Sequence, residues 1–140
     1  MRIHRAECNR IRKQATLEAF NLLQTQVLDE LNSQKPGEFI KIAANRRKSE
    51  FKPQYDHCRT LIARIEHFAV GVHEEIYDFD TVNKLAAEHL VFLYHKLVPI
   101  INAARESSTR GSAYVEFETL TQRLILTHPE LGKRLPKAED

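Results

Sequence analysis

Cysteine is scarce in this chain, and its scarcity excludes a whole class of fold. Cys8 and Cys58 are the only two, far apart and in no ligand spacing. A disulfide framework is thereby excluded and a reduced, cytoplasmic protein is the expectation. Glycine (4) and proline (5) are too few for a turn-rich sandwich of strands. No apolar run approaches the roughly 20 residues that span a bilayer. The opening RIHRAECNRIRK lacks the apolar centre of a signal peptide, so secretion is not expected. A net charge of only +2 gives no global polyelectrolyte signal for nucleic acid. Nucleophile elbows, glycine-rich phosphate loops and paired cysteine motifs are missing as well.

What is present is helical periodicity. In Tyr55 to Asp80, the residues Cys58, Leu61, Ile62, Ile65, Phe68, Ala69 and Val72 recur at steps of three and four. They fall on one helix face, within about 120° of arc at roughly 100° per residue. Asp78 then stops this helix and caps the next, near Asp80 and Thr81. Upstream, one long helix is predicted from Arg2 to Asn32, with Leu17, Phe20, Leu23, Val27, Leu28 and Leu31 as its apolar face. Lys35-Pro36-Gly37 ends it. A short helix over Glu38 to Ala44, a basic loop over Asn45 to Lys52, and a helix start at Pro53 come next.

Downstream, Phe79 to Glu106 reads as a helix with the stripe Val82, Ala86, His89, Leu93, Leu97, Ile100 and Ala104, bent at Pro99. Ser107 to Ser112 is a loop, and Ala113 to Thr127 is the last helix. The whole, residues 1–140, is one domain: an all-α antiparallel bundle of four principal helices plus one short helix. Residues 1–14 form a basic helical extension and 129–140 a loose tail.

Several side chains stand out from this frame. Arg59, Glu66 and His73 are seven apart and make a polar column along the edge of the central stripe. Its simplest role is an edge ion pair that fixes how a neighbouring helix docks, and paired residues at a catalytic centre are the alternative. Leu90 to Ile101 is apolar almost all round, which suits a helix that is central or that buries a second face against a partner. Val91, Tyr94 and Val98 fall away from the main stripe and predict a partner-binding face, of a homodimer or of an obligate complex.

Charge is uneven although it nearly cancels. Arg2, Arg5, Arg10, Arg12 and Lys13 face a single Glu7 in the first turns, whereas Glu74, Glu75, Asp78 and Asp80 cluster at the central turn. The basic tip is read either as a solvated helix end or as a contact for an acidic protein, nucleic acid or anionic lipid. Seven histidines are present, but no two lie three or four positions apart, so no metal site and no cofactor are predicted.

The sequence carries two resemblances. Arg123-Leu-Ile-Leu-Thr-His128 resembles the ribonuclease motif of the HEPN superfamily, which would imply a phosphate-holding Arg123 and an assisting His128 at a dimer interface. Five helical positions correspond to about 140° of turn, so these side chains diverge on an ideal helix. The words ATLEAFNLLQ, ARIEHFAVGVHEEIYDFDTV, YHKLVPIINAAR and YVEFETL, in that order, resemble an uncharacterised bacterial domain-of-unknown-function family of helical proteins, many with a membrane anchor. Glu66, Gly71 and Asp78 match that family's pattern, and no catalytic residue is carried over from it. Where such an anchor would stand, a basic helix is expected here.

The expectation is a non-enzymatic interaction or regulatory protein that binds a protein partner or itself. Phage or mobile-element biology is an expectation from the family's orphan character alone. A HEPN-like ribonuclease using Arg123 and His128 is the alternative. A small nucleic-acid-binding protein using the basic N-terminal helix is third.

Overall fold

The computed structural model describes residues 2–108 and 111–134. Every element is helical: α1 (Arg2–Leu23), a π-helical turn (Gln24–Leu28), α2 (Asp29–Asn32), α3 (Pro36–Ala44), α4 (Lys52–His73), α5 (Phe79–Ser107), α6 (Val115–Thr127) and α7 (Pro129–Lys133). The protein is an all-α bundle, as its periodicity predicts.

The first three elements form one rod, because the backbone stays right-handed helical at Leu23, Leu28 and Asp29. The π turn inserts an extra residue and rotates the apolar face. Val27 and Leu28 are therefore both buried. Leu17, expected in the core, is 44 % exposed, because within regular α1 it is Thr16 that lies in line with buried Phe20 and Leu23. Thr16 is buried in the place Leu17 was predicted to take. Its hydroxyl donates to the Arg12 carbonyl at 2.7 Å and accepts the Asp78 amide at 2.8 Å. That bridge pins the rod to the turn between α4 and α5.

Helix α5 is the centre of the bundle. It packs on α3, α6, α4 and α1, and α4 in turn packs on α6. This covering corrects the expected partner face. Val91 is wholly enclosed, and Tyr94 and Val98 are half-buried. Tyr94 meets Phe117 of α6 edge-on, with ring centroids 5.1 Å apart. Burial among these neighbours also raises the Tyr94 phenol pKa. The apolar girth of α5 reflects its central position, so these three residues leave no adhesive patch.

The predicted stripe of α5 holds at Val82, Ala86, Leu93, Leu97, Ile100 and Ala104, all buried, on both sides of one interruption. Its backbone departs from helical geometry at Ala86 (φ −149°, ψ 17°), not at Pro99. His89, three residues past it, is the one residue of the predicted stripe left exposed, and Leu90 and Val91 beside it are buried.

The predicted loose tail is not loose over its first part. His128 leaves the helix (φ −133°, ψ 72°), and Pro129–Lys133 then forms α7, which docks through buried Leu131. Residues 135–140 of that tail lie outside the described residues.

Candidate interaction surface

The turn from α4 into α5 organises one side of the molecule. Glu75 adopts a left-handed conformation (φ 61°), and the amides of Ile76 and Tyr77 both return to the Gly71 carbonyl at 2.9 and 3.0 Å. Tyr77 folds back over Gly71 so closely that a Cβ at Gly71 would lie 2.6 Å from its ring. The same ring stacks on Phe68 (5.1 Å, 21°), and Phe68 meets Phe20 of α1 at 6.0 Å. Gly71 thus lets an aromatic ladder join α1, α4 and the turn.

Beside that ladder lies a groove of about 440 Å³ between α1 and α4. Its walls are Ala19, Leu22 and Leu23 from α1, and Ala63 and Phe68 from α4, with Tyr77 closing one end. Leu22 is 54 % exposed. The rim carries Arg64, which donates to Gln26, and exposed His67. No carboxylate lines the groove. Further along the same outer side of α1, Ile11 is 66 % exposed above a second apolar hollow formed with Arg10, Gln14, Ala15 and Glu18.

The basic tip and the acidic corner, distant in sequence, meet in a cleft of about 310 Å³. Arg12, His73, Asp78, Asp80 and Arg123 line it. Asp78 caps α5, accepting from the Thr81 amide at 3.0 Å and its hydroxyl at 2.6 Å. The Thr81 hydroxyl most of all, then the Thr81 amide and the cations Arg12 and Lys13, hold its carboxyl below the usual range. Arg12 is thereby drawn into the fold, while Arg5, Arg10 and Lys13 are exposed. Arg10 lies 3.5 Å from Glu7.

Arg59, Glu66 and His73 do share one side of α4, but they do not pair with one another as predicted. Their shared target is the start of α6. Tyr114, left-handed at φ 63°, precedes α6 and offers no side-chain cap. Glu66 supplies one from α4: it accepts the Phe117 amide at 2.6 Å and the Glu116 amide at 3.1 Å. His73 Nδ1 lies 2.6 Å from Glu116 Oε2, and the Tyr114 hydroxyl donates to the Arg59 carbonyl at 3.2 Å. Arg105 of α5 completes the seat, donating to the Ala113 carbonyl and to Glu118 at 2.9 and 3.0 Å. The column docks a helix, Glu66 through backbone amides that no sequence motif displays, and His73 and Arg59 through Glu116 and Tyr114.

Arg123 and His128 are not brought together. The Arg123 guanidinium lies over the Phe79 ring, 4.0 Å from its centroid, and lines the cleft of mixed charge. His128 contacts Asn83 at 2.9 Å and Glu130 at 3.5 Å, in a separate hollow between α5 and α7. Among the described residues, no three His, Cys, Asp or Glu side chains converge as metal ligands would. No helix among them is long and apolar enough to cross a membrane.

A family model, described as a domain of unknown function (DUF4760), matches residues 3–124. No curated protein and no solved structure matches the chain.

Proposed function

The chain belongs to the DUF4760 family, and from its geometry we propose that it is a non-enzymatic interaction module with regulatory character. The observation that carries this reading is the apolar groove between α1 and α4. A groove walled by Ala19, Leu22, Ala63 and Phe68 and rimmed by Arg64 and His67 suits one partner helix laid along it. Leu22 and Ile11 stand in water on a rod whose opposite face already serves the core, so folding alone does not require them to be apolar.

Affinity capture from the native host, with wild-type protein and a Leu22→Glu variant, tests the proposal. Because Leu22 is exposed, the variant should melt within a few degrees of wild type while losing what the wild type captures, whether a second copy or another protein. A variant with the same stability and the same captured set would remove the groove from consideration.

A further inference from the structure

We infer that the occupant of this surface is the α1 rod of a second copy, laid antiparallel across the first. The inference rests on the interaction reading above and names its partner. Ile11, Ala15, Glu18, Leu22 and Thr25 succeed one another at steps of four, three, four and three along α1. That is the heptad spacing of a helix seam, and every one of these side chains is exposed or half-exposed. A self-complementary pairing needs two unlike features that exchange places under a two-fold axis. Ile11 beside Glu18 is one, an apolar knob with a carboxylate at its edge. The groove at Leu22, with Arg64 and His67 on its rim and no carboxylate, is the other. With the axis near Thr16 and Leu17, the partner's Ile11 faces Leu22, and the same contact repeats at the other end.

Charge along the rod selects the direction. Residues 2–13 contain five cations and one carboxylate, whereas residues 14–32 contain Glu18, Asp29 and Glu30 and neither Lys nor Arg. Antiparallel pairing sets the basic half of one rod against the acidic half of the other. Parallel pairing would juxtapose the two basic halves and is disfavoured by their repulsion.

The register supplies its own probe. In this arrangement Cys8 of one chain lies opposite Thr25 of the other, both exposed. Within one chain the helix holds these positions about 25 Å apart, far beyond disulfide reach. A Thr25→Cys variant of the full chain, mildly oxidised, should therefore run as a covalent dimer on a non-reducing gel. Wild type, Cys8→Ser/Thr25→Cys and Thr25→Cys under reductant should each remain uncrosslinked. Static light scattering of wild type should give twice the 16.3 kDa chain mass. A wild-type dimer joined through Cys8 to Cys8 would overturn the antiparallel arrangement. A monomer mass with no crosslink in Thr25→Cys would overturn self-association. If that monomer still captures another protein through Leu22, the interaction module stands without the second copy. If Leu22→Glu changes neither mass nor capture, the interaction reading itself has failed.

Discussion

The backbone amide of Phe117 points into the carboxylate of Glu66, 2.6 Å away and fifty-one residues earlier in the chain. A helix start leaves its first amides without intrahelical acceptors. Here a side chain from another helix accepts two of them, because the preceding residue, Tyr114, does not. The cap joins α4 to α6, and α6 closes the bundle over α5. Glu66→Ala should cost about 1–3 kcal/mol, since it leaves part-buried amides unpaired. Glu66→Gln should fall between the two, because one amide would then meet a donor. Urea unfolding of the three proteins measures this. A Glu66→Ala protein as stable as wild type would show that water replaces the carboxylate without loss.

Gly71 makes a prediction whose sign depends on its neighbour. Gly71→Ala drives a Cβ to within 2.6 Å of the Tyr77 ring, and displacing that ring costs about 1–3 kcal/mol. In a Tyr77→Ala background the obstruction is gone. The same substitution should then stabilise by up to about 1 kcal/mol, the helix preference for Ala over Gly. Thermal melts of the four proteins in this cycle read it out. Equal effects of Gly71→Ala in both backgrounds would show that the contact carries no strain.

Asp78 should make stability depend on acid. Its folded pKa lies below the unfolded value, so its contribution is complete above about pH 4. That contribution is lost as the pH falls through the depressed folded pKa. Asp78→Asn keeps a capping oxygen but no charge. Wild type should therefore melt above the variant near neutrality, and the gap should close as pH drops below the usual carboxylate range. A gap that stays constant through that range would mean that the ionised form is not what the site stabilises.

The helices were legible because a buried stripe at steps of three and four requires no knowledge of its partner. Ile62, Ile65, Phe68 and Val72 are inside as the spacing of α4 predicts. Leu17 is outside because Thr16, four and seven residues before Phe20 and Leu23, is better in phase with the buried face, and a preference for apolar residues passes over it. His89 is exposed just past the break at Ala86, which carries no sequence signal. Val91 was misassigned because its covering comes from helices remote in sequence. The polar column is visible as a column, but the targets of Glu66 are amides of α6, which carry no side-chain signature. The groove was invisible for a related reason. It exists between two helices, and neither Leu22 nor Ala63 is unusual on its own helix.

Amide hydrogen exchange along residues 4–22 reads out whether the outer face of α1 is a binding surface. Alone, the first turns of α1 have little packed against them and should open readily. A second rod across Ile11 and Leu22 should protect them. Self-association through this face should give slow exchange there in concentrated wild-type protein, faster exchange on dilution, and fast exchange at both concentrations in Leu22→Glu. Fast exchange at every concentration in wild type, matching the variant, would contradict it.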